Sequence, residues 1–250
     1  MEPVLHTLIT GASSGLGRCA AVRLSQTRNL ILHGRSQERL DETLGMCANP
    51  ERHVMWQCDL KDPGKLAASL TPLLDTAGRS VEAFVHCAGM VTILPMRNVD
   101  FSAMQEIMNV NFLSAAEIVH ILLKKKINNH RLRNIVFISS IWSRFGSRAH
   151  GAYCASKAAL DGLMRALAVE LAPAVRVNSI LPGAIQTSMA AQGFDDPSIL
   201  DKLQKDYPMG TGQPEDIADT IEFVLSDRAR WLNGQQIVVD GGRTVNMSLK

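Results

Sequence analysis

Ser140, Tyr153 and Lys157 are the residues of this sequence whose types and spacing could do chemistry together. Tyr153 and Lys157 stand four apart at the start of a helical pattern running to about Leu171, so both side chains share one face. Ser140 closes the apolar, strand-like run 135–138. A free phenol titrates near pH 10, roughly, and a cation held beside it favours the phenolate and lowers that value. Such a phenol can trade a proton with a substrate oxygen while a serine hydroxyl hydrogen-bonds the same oxygen. The chemistry is proton transfer at a carbonyl or an alcohol, and the electrons must come from elsewhere. Alone, Tyr-x-x-x-Lys also reads as a solvated pair on a helix, so its weight rests on the elements around it.

Those elements begin with the apolar run 4–9, which flows into Thr10-Gly-Ala-Ser-Ser-Gly-Leu-Gly17 and then into Ala20, Ala21 and Leu24 at helical spacing. The order is strand, glycine turn, helix. Gly11, Gly15 and Gly17 let the backbone turn tightly and approach a ligand, with the helix N-terminus aimed at a pyrophosphate; an ordinary turn is the alternative. A second strand, 30–33, ends in His33-Gly34-Arg35-Ser36. A carboxylate here would hold the ribose hydroxyls of NAD, whereas the extra phosphate of NADP needs a cation. Gly34 stands at the acid's place and Arg35 follows, which favours NADP(H) over NAD(H). Arg35 also reads as a solvated loop cation, and Arg18 is a candidate second member of the patch.

Further along, a helix is expected over Gln37–Met46, strands over 53–57 and 81–85, and one long helix from Phe101 to Leu123 with apolar residues at 104, 107, 108, 112, 115, 118, 119 and 122. A sixth strand is expected at 176–181. A helix opened by Gln213-Pro-Glu-Asp comes before a seventh strand, Gln236–Val239. Residues 188–213 form the least regular stretch, and a substrate-covering lid is the expectation there. Without repeat, linker or boundary, residues 1–250 read as a single domain.

Composition narrows the function classes. A formal charge of +2 with no basic block argues against nucleic acid, and Lys124, Lys125 and Lys126 read as the charged last turn of a helix. No basic segment with an apolar run follows Met1, and no apolar run reaches about eighteen residues, so neither export nor a membrane is expected. Cysteines at 19, 47, 58, 87 and 154 form no Cys-x-x-Cys pair and no zinc-like cluster, which suits thiols in a reducing cytoplasm and no metal site.

The glycine motif, together with Ser140, Tyr153 and Lys157 at these separations, resembles the short-chain dehydrogenase/reductases, specifically their shorter single-domain subgroup. The resemblance spans nearly the whole chain. It implies a Rossmann-type, doubly wound, seven-stranded parallel sheet in three α/β/α layers, with the nucleotide contacting Gly11, Ser13, Ser14, Gly15, Leu16 and Gly17. It further implies Asp59 and Leu60 at the adenine, Ala88 and Gly89 close to the cofactor, and Tyr153 and Lys157 at the nicotinamide ribose. Pro182, Gly183, Ile185 and Thr187, in Pro-Gly-Ala-Ile-Gln-Thr, would meet the nicotinamide. Asn111 takes the family's relay position beside the lysine. His86-Cys87-Ala88-Gly89 departs from the family's common Asn-Asn-Ala-Gly at its first two residues. The pattern looks most like the 3-oxoacyl-acyl-carrier-protein reductases, which implies a 3-oxoacyl thioester, an acyl carrier protein as candidate partner, and a homodimer or homotetramer. Reductases of sugars, steroids and other small carbonyls share the same motifs. Trp142, Arg144, Phe145, Arg148 and His150 are candidates for the substrate entrance, and a non-catalytic dinucleotide-binding protein is the reading from another class.

Overall fold

The computed structural model describes residues 3–75, 78–187, 201, 203 and 205–246. On β1 (Val4–Thr10), Leu8 and Ile9 point to opposite faces and are both fully buried. The same two-sided burial recurs in β2 (Asn29–Gly34), β4 (Arg79–His86), β5 (Asn134–Ile138) and β6 (Arg176–Pro182). Near-continuous apolar strands of this kind belong in parallel sheets covered on both faces. Together with β3 (Val54–Gln57) and β7 (Gln236–Val239) they form one sheet of order β3-β2-β1-β4-β5-β6-β7, parallel throughout. The order reverses between β1 and β4, and a crevice opens at the C-terminal ends of these strands. This is the doubly wound Rossmann architecture that the sequence predicts.

The helices are α1 (Gly15–Leu24), α2 (Gln37–Met46), α3 (Leu66–Asp75), α4 (Phe101–Met108), α5 (Ser114–Leu123), α6 (Lys125–Asn128), α7 (Gly151–Glu170) and α8 (Pro214–Leu225). Ala20, Leu24, Leu40, Ile217 and Ile221 pack α1, α2 and α8 on the face carrying Ile9, Leu30, Leu32 and Val85. Leu66, Leu70, Ile118, Leu122, Leu160 and Met164 pack α3, α5 and α7 on the opposite face against Leu8, Ile31, Phe84 and Phe137. Phe84 and Phe137 meet edge to face at 6.3 Å, and each such buried side chain contributes roughly 1.5–3 kcal/mol.

Two expectations are corrected and one helix is added. The single helix over Phe101–Leu123 is interrupted by a π-helical turn, Asn109–Leu113, between α4 and α5. By length and composition this is the one run among the described residues that could cross a membrane; here Ala115, Ile118, Ile121 and Leu122 pack on the sheet. Lys124 leaves helical geometry at ψ 117°, so Lys125 and Lys126 open a new short helix and do not end the long one. And α3, unforeseen in the sequence, docks β3 through a hydrogen bond from the Trp56 indole to Ser69 Oγ at 3.1 Å. Of the expected lid, residues 188–200, 202 and 204 lie outside the described residues.

Candidate active site

Gly11 to Gly17 join β1 to α1 above the crevice. Gly11 and Gly15 take positive φ, +72° and +50°, where a side chain would be strained. A Cβ on Gly17 would come within 2.3 Å of the Gly11 carbonyl oxygen, so no other residue lets α1 start this close to the turn. Ser14 precedes α1 in extended backbone without a side-chain cap bond, leaving the first N–H groups of the helix unclaimed by a cap. An open helix N-terminus behind a glycine cradle suits a pyrophosphate. His33, buried at the end of β2, supports the cradle: its Nδ1 accepts the Gly11 N–H at 3.4 Å and its Nε2 donates to the Cys58 carbonyl at 3.2 Å.

At Gly34 a Cβ would lie 2.9 Å from Ser13 Cβ and 3.1 Å from Leu40 Cδ2. The carboxylate that would hold two ribose hydroxyls is therefore excluded by packing as well as by sequence. Arg35 is exposed and makes no ion pair among the described residues. Arg18 is not a free second cation. Its guanidinium is shared among Thr43 Oγ1 (3.0 Å), the Ser13 carbonyl (2.7 Å) and the Glu42 carboxylate (2.7 Å), a set that ties α1 to α2. Asp59 is exposed with Oδ1 accepting the Lys61 N–H at 3.0 Å, a local turn contact, and Leu60 is buried beneath it.

Thr10, at the end of β1, reaches across to β4: its Oγ1 accepts the Ala88 N–H at 3.3 Å and lies 2.9 Å from His86 Nδ1. Beside them Asn111 sits in the π-helical turn, wholly buried. Its side chain accepts the Met90 N–H at 2.8 Å and spends both amide hydrogens, on the Met90 carbonyl at 3.0 Å and on Ser156 Oγ at 2.9 Å. Asn111 thus pins the 88–90 segment to α7, and its side chain has no donor left for a relay.

Ser140, Tyr153 and Lys157 converge at the C-terminal end of β5 and the first turns of α7. The Ser140 hydroxyl accepts the Trp142 N–H at 3.2 Å and lies close enough to the phenol to favour its ionised form. Lys157, buried, donates to the Ile138 carbonyl at 2.8 Å and holds its Nζ 5.7 Å from the centre of the Tyr153 ring. A Cβ on Gly89 would lie 3.4 Å from that Nζ, so this glycine admits the ammonium to the crevice. The expected lowering of the phenol by the ammonium is not what this geometry gives. Burial, the larger effect, pushes Tyr153 up to about 12 against the pull of the Ser140 hydroxyl. Burial also brings Lys157 down to about 8, although the Asp161 carboxylate one turn further along α7 holds it up.

The fourth wall comes from the end of β6. A Cβ on Gly183 would lie 2.8 Å from the Tyr207 ring and 2.9 Å from Asp240 Cα, and the Tyr207 hydroxyl accepts the Ala184 N–H at 2.9 Å. Ile185 bridges Gly212 through its neighbours, Gly212 N–H to the Ala184 carbonyl (3.0 Å) and Gln186 N–H to the Gly212 carbonyl (3.1 Å). Ile185's own N–H and C=O take no part in that bridge. Thr187 stands opposite the glycine turn, its Cβ 3.6 Å from where a Cβ on Gly15 would be.

A family model described as "Enoyl-(Acyl carrier protein) reductase" matches residues 11–244 of this chain. The chain belongs to the short-chain dehydrogenase/reductase family. Members of this family bind NAD(P)(H) and act on carbonyls or alcohols. The D-erythrulose reductase of Gallus gallus is 29% identical over 98% of this chain and 100% of its own length. The 3-oxoacyl-[acyl-carrier-protein] reductase of Rickettsia conorii is 31% identical over 94% of this chain and 95% of its own. Among solved structures, 4-hydroxyisoleucine dehydrogenase complexed with NADH has TM-score 0.88 at 27% identity, covering 96% of this chain and 99% of that one. A provisionally named 2-deoxy-d-gluconate 3-dehydrogenase from Agrobacterium tumefaciens with bound NADP has TM-score 0.87 at 27% identity, covering 98% of both chains.

Within this short-chain reductase frame, sequence reasoning missed His33, Tyr207 and the pair Arg144–Gln236. Arg144 Nε donates to Gln236 Oε1 at 2.7 Å, and Gln236 Nε2 donates to the buried Asp161 carboxylate at 2.7 Å. The Trp142 ring lies 4.2 Å from His150 and 6.1 Å, edge-on, from Tyr153. A histidine ending a strand beside a glycine was the available signal for His33; nothing in the sequence marked Tyr207 or Gln236.

Proposed function

We propose that this protein is an NADPH-dependent reductase of small carbonyl compounds. The observation that carries the proposal is the convergence of Ser140, Tyr153 and Lys157 beside a glycine-cradled helix N-terminus. Arg35, without an ion-pair partner among the described residues and next to a Gly34 that admits no side chain, supports NADP(H) over NAD(H). The glycine turn and the start of α1 would hold the pyrophosphate, Ala88 and Gly89 the nicotinamide ribose side, and Ile185 and Thr187 the carboxamide. Bound there, the reduced nucleotide supplies hydride to the carbonyl carbon.

The chain's own part is proton management. A phenol raised to about 12 stays protonated at neutral pH, which suits it to donate to the oxygen of a carbonyl being reduced. Ser140 orients that oxygen, and the Lys157 ammonium, its Nζ 5.7 Å from the ring centre, would supply the proton that restores the phenol. Run in reverse, the same groups serve alcohol oxidation, with the phenolate as base.

For substrate, a hydroxylated ketone of the sugar type is the leading reading, since the relative at 29% identity over its full length is a D-erythrulose reductase. A 3-oxoacyl thioester, with acyl carrier protein as its partner, is the second, favoured by the Rickettsia conorii relative. Arg144 already engages Gln236, which weakens the case for a cationic entrance that would grip an anionic arm. Loss of NADPH absorbance with ketoses, diketones, steroids and acetoacetyl thioesters decides between them. No turnover across that panel would refute the reductase reading. We further propose a cytoplasmic homo-oligomer. Five free cysteines suit the compartment, and the exposed Trp231 and Val169 near the edge strand β7 suit a subunit contact; elution at monomer mass would remove the latter.

A further inference from the structure

His86 is the first of the two residues at which this chain leaves the Asn-Asn-Ala-Gly pattern, and it is wholly buried at the switch point of the sheet. Thr10 Oγ1 accepts the Ala88 N–H and can donate its own proton to His86 Nδ1 at 2.9 Å, whereas the backbone carbonyls on the other side of the ring can only accept. The tautomer that serves both sides has the lone pair on Nδ1 and the proton on Nε2. Nε2 faces the backbone carbonyls of Val110 and Asn111 in the π-helical turn, yet among the described residues it has no partner in hydrogen-bond geometry. A buried N–H left so is costly, and the Asn111 backbone it faces is the relay position beside Lys157. Burial and the Lys157 charge push the ring down to about 3, so His86 is neutral wherever the protein works and cannot itself store the proton.

Resting on the reductase reading above, we infer that His86 is a positioning residue that couples the nucleotide-contacting segment to the proton relay. Ala88 N–H, Thr10 hydroxyl and imidazole form a hydrogen-bonded line of uniform polarity whose last N–H is turned towards the π-turn carbonyls. One end fixes Ala88 and Gly89; the other orients the carbonyls past which Lys157 is reprotonated. One bridging water, or a small turn of the ring, closes the line from Nε2–H to them. The π-helical turn is what brings Val110 and Asn111 carbonyls to face a side chain from β4, and Asn at position 86 is too short to span from Thr10 to them.

The two ends can be separated. Asparagine mimics a histidine Nδ1 and glutamine its Nε2. His86→Asn keeps the Thr10 end: NADPH affinity stays within about twofold, kcat falls about fivefold to tenfold, and its solvent deuterium isotope effect rises. His86→Gln keeps the π-turn end: kcat is largely retained and the Kd for NADPH rises about fivefold. Equal loss in both variants, with an unchanged isotope effect, would reduce His86 to a packing residue and overturn the inference. Nitrogen-15 spectra of the ring give a readout that needs no turnover. The Nε2-protonated tautomer, unchanged down to pH 5, is the expected result, and an Nδ1-protonated ring would sink the proposal. A wild-type chain inactive on every carbonyl would instead refute the reductase reading.

Discussion

Tyr153 and Lys157 show how one burial acts oppositely on two groups. Removing water disfavours whichever form is charged, so the phenol rises to about 12 while the ammonium falls to about 8. Tyr153→Phe removes only the proton donor. Its expected effect is a loss of about 10² to 10⁴ in kcat with NADPH affinity retained, read by steady-state kinetics and fluorescence titration. The lysine sets the alkaline limit. As pH rises through about 8, Lys157 loses its charge and reductive kcat should decline, while the phenol remains protonated. Stability moves the other way. Lys157 has its folded value below the ordinary 10.5, so between about pH 8 and 10 the unfolded chain binds more protons and this group makes folding more favourable as pH rises. A kcat profile falling above pH 8 beside a denaturation midpoint that does not fall in step would separate this group from general alkaline unfolding.

At the scale of elements, Gly34 decides how β2 meets the glycine turn. Gly34→Asp, the obvious change for importing a ribose-binding carboxylate, puts a Cβ 2.9 Å from Ser13 Cβ. The expected outcome is a destabilisation of about 1–3 kcal/mol in urea unfolding with no gain in NADH affinity; a stable, NADH-preferring variant would contradict the packing argument. The sequence made much of this legible because strand, turn and helix follow one another locally. Residues 4–17 carry apolar run, glycines and helix start without a gap, and α8 opens with Asp216 accepting the Gln213 N–H at 2.8 Å, as Gln213-Pro-Glu-Asp implies. The π-helical turn was not legible, since Phe101 to Leu123 keeps helical periodicity across it and the extra residue is set by the buried Asn111 bonding to Met90 and Ser156. The role of Arg18 was hidden for a related reason: Glu42 is distant in sequence and meets it only when α1 packs on α2. The phenol's upward shift needed burial, which no spacing reports.

For the whole molecule, the residues proposed to hold the nucleotide come from both halves of the sheet. Gly11 and Arg35 lie on the β3-β2-β1 side, and Lys157, Ile185 and Thr187 on the β4-to-β7 side. Thr187 faces Gly15 across the crevice, and His86 links to Thr10 at the seam. Binding across a seam opposes the separation of its sides, so the nucleotide acts as a clamp on folding. A ligand at a hundred times its Kd adds about 2.7 kcal/mol, which for a chain of this size raises Tm by about 5–10 °C. NADPH should give this shift at a lower concentration than NADH, because only NADPH carries the phosphate for Arg35. In Arg35→Ala the two nucleotides should converge, with NADPH losing its lead and NADH unchanged. If NADPH kept its full advantage in that variant, phosphate recognition would lie elsewhere than at the end of β2; if neither nucleotide moved the Tm of the wild type, the crevice would not be a dinucleotide site at all.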